Sequence, residues 1–184
     1  MVVERDEEIP VLEGDEGEPR VGRSGDVGRQ ILETQISEVR RGSAVAVAPT
    51  ATVTKAMELM RKKKVSAVVV VETKRGQKKL SGIFTERDLV NRALPAKGWS
   101  KAPVKKFMTP APETLRAKDS VAYALNKMSV GRFRHVPLVD EAGAPAGMIS
   151  IRDIADFIVE LCPEEILNLP SQPALALHRT PEGD

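Results

Sequence analysis

Apolar residues in this chain of 184 residues fall into short blocks with two alternating periods. From Asp26 onward, Val27, Ile31, Leu32, Ile36 and Val39 recur at near-helical spacing, which predicts a helix capped by Asp26. Val53, Ala56, Met57 and Met60 form one amphipathic stripe, and Val121, Ala124, Leu125 and Met128 form another. Thr52 and Asp119 stand where N-caps for these two helices belong. An extended piece precedes each helix, Ala44 to Val47 and Glu113 to Arg116. Continuous β-branched runs follow, Ala67 to Val71 and Val136 to Val139, as suits strands buried on both faces. Gly76 and Gly143 mark turns into second strands, Leu80 to Phe84 and Ala146 to Ile149. Helices over Glu86 to Ala93 and Arg152 to Leu161 close the pattern.

The blocks are two copies of one unit. A shift of 68 positions carries Ile36, Val39, Val53, Ala56, Met57 and Met60 onto Val104, Phe107, Val121, Ala124, Leu125 and Met128. A shift of 65, after a loop three residues shorter, carries Gly82, Thr85, Arg87, Asp88 and Leu89 onto Gly147, Ser150, Arg152, Asp153 and Ile154. The expected fold class is α+β: two β-α-β-β-α repeats, each too small for a large core alone, packed sheet against sheet with pseudo-two-fold symmetry. The expected organisation is an acidic, Gly-rich disordered tail over 1–25, a first repeat with its lead-in helix over 26–98, a second repeat over 99–162, and a flexible Pro-rich tail over 163–184 with a short turn near 164–169.

Composition narrows the class. Apolar residues make up 41% and aromatics only 3%, so the core must be aliphatic. No apolar run reaches the ~18 residues of a membrane span, and charged Met1 to Glu8 is unlike a secretory leader; a cytoplasmic protein is expected. One cysteine, Cys162, excludes an internal disulfide and a cysteine zinc site, and at the end of an apolar helix it reads as a structural thiol. The formal charge of +2 divides into −7 over 1–18, −3 from Pro163 on, and +12 between. Such a body favours anionic partners, nucleotide phosphate or nucleic acid alike.

Certain segments match a family. Gly82-Ile83-Phe84-Thr85-Glu86-Arg87-Asp88 and Gly147-Met148-Ile149-Ser150-Ile151-Arg152-Asp153 resemble the end of a CBS motif, the cystathionine-β-synthase-type domain. Val104-Lys105-Lys106-Phe107-Met108-Thr109-Pro110 resembles the lead-in of a second motif, and Arg134 to Asp140 its first core strand. The resemblance covers about residues 36 to 162. It implies a stand-alone CBS pair, or Bateman module, that binds adenosine-containing ligands (AMP, ADP, ATP, NAD or S-adenosylmethionine) in two clefts between the copies, forms a homodimer, and signals to a regulated protein partner. Adenine nucleotide is then a regulatory ligand, and no cofactor, metal or catalytic residue is implied.

The chemistry at each strand-to-helix junction suits that ligand. Gly82 and Gly147 permit close approach. Thr85 and Ser150 can cap a helix or meet phosphate. Arg87 and Arg152 carry planar forks for phosphate oxygens, and Asp88 and Asp153 can accept from two ribose hydroxyls. By resemblance, one cleft joins Ser43, Val45, Val65, Ser66 and Ala67 with Ser150, Arg152 and Asp153; the other joins Thr109, Ala111, Arg134, His135 and Val136 with Thr85, Arg87 and Asp88. Small Val65-Ser66-Ala67 leaves room for adenine. Phe133-Arg134-His135 is bulkier, and Glu113 lies near the expected phosphate path, so the second cleft departs from the pattern.

Plainer roles stand beside these. Either aspartate can be a capping residue, either arginine a surface or dimer-interface group, and His135 a packed or cleft-lining side chain. Arg61-Lys62-Lys63-Lys64 is a solvated helix end that, with Lys74, Arg75, Lys78 and Lys79, offers a nucleic-acid patch. Trp99 reads as a packing anchor. Ile154, Ile158 and Leu161 are left to be covered by a second copy. The alternative function is a nucleic-acid-binding protein using the basic body; an enzyme is not expected, because no nucleophile, base and orienting group occur together.

Overall fold

Two hairpins organise the molecule, whose computed structural model describes residues 24–39, 44–74 and 76–163. The readings for 1–23, the turn at 164–169, the tail to 184, and Ser43 and Arg75 lie outside the described residues.

In the first repeat, β2 (Ala67–Lys74) turns through Gly76, at a φ of 79° that favours glycine, into β3 (Gln77–Thr85). A short β1 (Ala46–Val47) lies parallel to β2, and β4 (Thr109–Pro110) lies antiparallel to β3. In the second, β5 (His135–Val139) turns through Gly143, at a φ of 80°, into β6 (Pro145–Ser150). The parallel bridge of Leu115 to Leu138 repeats the β1–β2 pairing at reduced length. Both hairpins shift register at the same place, between Val70 and Val71 and between Leu138 and Val139. The duplication therefore reaches down to irregularities.

Helix α2 (Val53–Lys63) buries Val53, Ala56, Leu59 and Met60, and α4 (Val121–Gly131) buries Val121, Ala124 and Met128. Thr52 caps α2, its hydroxyl accepting from the Lys55 N–H at 3.1 Å. The cap of α4 is Ser120, accepting from Tyr123 N–H at 3.2 Å, rather than Asp119. Asp119 is turned to the preceding loop, where it accepts from Arg116 N–H at 2.7 Å.

The lead-in segments are exchanged between repeats. Ile36 N–H donates to Asp119 O and Val121 N–H to Thr34 O, both at 2.9 Å. The counterparts 68 positions away do the reverse: Val104 N–H donates to Ala51 O at 2.8 Å and Val53 N–H to Ala102 O at 3.0 Å. Ile36 and Val39 accordingly sit in the second core, while Val104 sits in the first. This explains why α1 (Ser24–Glu33) is shorter than its apolar spacing predicts. The backbone groups of Thr34 and Ile36 serve α4's N-terminus and cannot continue a helix, so Ile36–Glu38 form a separate 3-10 turn. Helix α1 also begins at Ser24, which places Asp26 inside its first turn and not at the cap.

After β3 comes one α-turn, α3 (Glu86–Asp88), which widens into a π-helix over Leu89–Ala93; after β6 comes the regular α5 (Ile151–Leu161). Ile154 is fully buried, Leu161 nearly so, and Ile158 half-buried, so the chain itself covers the face expected to need a second copy. The apolar side chains left outside include Val90, Leu94 and Ile151. Trp99 packs on the first core as expected, and Cys162 is half-buried with its thiol directed to Ile158 O at 3.1 Å.

Candidate functional site

A cavity of about 460 Å³ lies between the repeats. Its first-repeat wall comes from β3 and the turn after it, including Thr85, Arg87, Asp88 and Arg92; its second-repeat wall comes from Thr109 to Glu113 and Gly131 to His135. Seven of the eight side chains read for this cleft line it: Thr85, Arg87, Asp88, Thr109, Ala111, Arg134 and His135. Val136 does not; it is fully buried in the second core.

Asp88 is the hub. It is the one charged side chain buried among the described residues, at 7% exposure. Oδ2 accepts from Thr85 N–H at 3.0 Å and from Thr85 Oγ1 at 2.8 Å, while the Thr85 hydroxyl accepts from Asp88 N–H at 3.2 Å. That reciprocal capping box fixes the strand-to-helix turn. Oδ1 accepts from Thr109 Oγ1 at 3.3 Å and pairs with Arg92 Nη1 at 3.1 Å. A buried carboxylate is thereby fully partnered, as burial demands.

The walls are held by contacts between repeats. Arg87 donates to Arg132 O at 2.6 Å, so its fork is spent partly on the opposite wall. Arg132 itself has a φ of 54°, ending α4 in the left-handed region as Lys64 ends α2. Ala111 has a φ of 42°, an uncommon and costly conformation for a residue with a Cβ, and its N–H donates to Ser81 O at 3.3 Å. Gly82 is required here: a Cβ on it would lie 2.8 Å from Thr109 O and 2.5 Å from Met108 Sδ. Gly131 likewise makes way for the Phe133 ring. Glu113 is paired with Lys127 Nζ at 2.8 Å, which also raises the Lys127 pKa, so the expected phosphate path is not met by an unpaired acid.

His135 bonds Ser66 Oγ through Nε2 at 2.8 Å, across the repeats. Burial, with help from the Arg134 charge, lowers its pKa, and a neutral Nε2 can then accept from the hydroxyl. It is cleft-lining, and among the described residues no group of three potential metal ligands occurs.

The residues read for the other cleft are placed less completely. Ser43 is outside the described residues; Val45 and Ala67 are buried, Val65 is half-buried, and Ser66 faces the cavity already described. Ser150 and Asp153 repeat the capping box, with Asp153 Oδ2 accepting from Ser150 N–H and Oγ, each at 2.6 Å. Among the described residues Asp153 Oδ1 has no protein donor. Arg152 is exposed, 3.8 Å from Asp156. Of the lining residues that sequence reasoning missed, Arg92 carried a usable signal, an acid at Asp88 four positions before a base. Arg132 carried none, because its role is a backbone carbonyl presented by a left-handed turn.

The sequence matches the model of the CBS domain twice, over residues 36–94 and 104–160. The chain belongs to the CBS domain family and carries two copies of the domain. It is 29% identical over 130 residues to an uncharacterised 17.7 kDa protein of Acidianus ambivalens, covering 71% of this chain and 76% of that one. It is 40% identical over 116 residues to the meiotically up-regulated gene 70 protein of Schizosaccharomyces pombe, covering 62% of this chain but 15% of that much longer one. Among solved structures, a CBS domain protein from Pyrobaculum aerophilum complexed with AMP is similar at a TM-score of 0.60 and 27% identity, over 65% of this chain and 89% of that one.

Proposed function

We propose that this chain is a regulatory module that holds an adenosine-containing ligand in the clefts between its CBS repeats and passes the occupancy to a protein partner. The observation that carries this reading is the cavity bounded by both repeats, with a buried, turn-fixed carboxylate at Asp88 and hydroxyl and guanidinium groups around it. The AMP complex of the Pyrobaculum aerophilum relative supports the ligand class. Asp88 and Asp153 grip ribose hydroxyls, Thr85, Thr109 and Ser150 meet phosphate or hydroxyl, and the arginines neutralise phosphate. Val65, Ser66, Ala67 and the backbone at Val45 and Ala111 bound the adenine.

Because the lead-ins are exchanged, a ligand that favours one spacing of the repeats shifts the whole pair. The protein acts in the cytoplasm as a homodimer through the turns that expose Val90, Leu94 and Ile151. It is a binding module and not an enzyme.

A thermal-shift panel of AMP, ADP, ATP, NAD and S-adenosylmethionine tests the reading. At 100-fold excess over its dissociation constant a true ligand adds about 2.7 kcal/mol, and Asp153→Asn with Asp88→Asn together remove the shift. A flat panel, or a shift that survives the double variant, contradicts the reading.

A further inference from the structure

The two junction aspartates, alike in sequence, differ in what their second oxygen touches. Asp88 Oδ1 is occupied by Arg92 and Thr109, whereas Asp153 Oδ1 has no protein donor among the described residues. One part of the difference is a single position: 65 residues beyond Arg92 stands Phe157, half-buried against the second core, while the counterpart of Thr109, at position 41, lies outside the described residues.

Arg92 does more than pair with Asp88. Its Nη1 also lies 3.2 Å from Met108 O, 3.3 Å from Phe107 O and 3.2 Å from Thr109 Oγ1. One nitrogen with two hydrogens thus serves four acceptors, so each bond is shared and none has the strength of a dedicated one. All but Asp88 belong to the lead-in of the second repeat, which plugs the first core. The arginine projects from a π-helix, a form frequent at functional sites, and its side chain is half exposed, with solvent to move into.

From this we infer that Arg92 is a latch that makes the two clefts unequal: a ligand enters the Asp88 cleft by displacing Arg92 from the carboxylate, and so releases the lead-in strand that Arg92 holds. The inference rests on the proposed ligand class and adds its regulation. The Asp153 cleft, lacking the latch, takes ligand first and without this rearrangement. The Asp88 cleft fills at higher concentration and is the one that changes the packing between repeats.

The test is calorimetric titration of the full chain with AMP, in wild type, Asp153→Asn, and Asp153→Asn carrying Arg92→Phe. Asp153→Asn isolates the Asp88 cleft, and Arg92→Phe, which installs the residue found in the other repeat, should then tighten AMP binding about tenfold, the scale of one charge-assisted hydrogen bond removed from competition. Arg92→Gln, gentler on packing, should move affinity the same way. Exchange of the Ala111 amide, beside the lead-in, should quicken in Arg92→Phe without ligand and in Asp153→Asn only on AMP addition. Unchanged or weaker AMP binding in both Arg92 variants overturns the latch while leaving the nucleotide reading intact. No AMP binding by any of the proteins overturns both.

Discussion

The two repeats share a backbone plan and differ in charge and in polar detail. Residues 44–106 carry fifteen lysines and arginines against four acids, whereas 107–162 carry six against seven. In the second repeat Glu141 lies 2.7 Å from both Arg116 and Lys118, pairs that hold its pKa down. In the first, exposed Arg61, Lys62 and Lys64 follow one another at the end of α2. Duplication thus fixed the core positions and the capping boxes, while the surface and the position of Arg92 diverged. The constraint lies in what each half lends the other: an apolar plug and the backbone partners for a helix N-terminus.

Breaking the exchange should have the largest effect. Ile36→Ala removes a fully buried side chain that belongs in sequence to the first repeat and in space to the second core. It should cost about 2–5 kcal/mol, and amide-exchange protection should fall first in α4 and β5; a loss confined to α2 and β2 would contradict the exchange. The aspartates come next. Asp88→Ala strands the donors on Thr85, Thr109 and Arg92 and should cost up to about 3 kcal/mol, whereas Asp153→Ala loses a cap worth about 1 kcal/mol. Equal losses in chemical denaturation would erase the asymmetry between the clefts.

Gly82→Ala drives a Cβ toward Thr109 O and should destabilise by about 1–3 kcal/mol, read as a lower melting temperature. The smallest effect is that of pH. Because the fold favours neutral His135, the unfolded chain takes up a proton first as pH falls through about 6.5, and stability declines from there until the folded value is passed. The wild type should lose stability over that range, and His135→Gln should show a shallower slope between pH 7 and 5.5.

Much of this was legible in the sequence. Strands, turns at Gly76 and Gly143, both amphipathic faces and the junction residues follow from period, glycine placement and the repeat itself. The lead-in exchange was not, because hydrophobic period says that Ile36 and Val39 are buried but not in which core. Asp119 misled for a related reason: it and Ser120 are both good caps, and only the loop's need for an acceptor at Arg116 N–H decides between them. Bulky Phe133-Arg134-His135 suggested a poor cleft, yet the left-handed turn at Arg132 and the missing Cβ of Gly131 accommodate those side chains in the cavity wall.

The decisive observation is a crystal structure of the chain grown with excess AMP. Ribose hydroxyls within hydrogen-bond distance of Asp153, and at higher concentration of Asp88 with Arg92 swung clear, would match the account. Clefts without ligand density at concentrations that saturate binding in solution, or AMP seated away from both carboxylates, would contradict it.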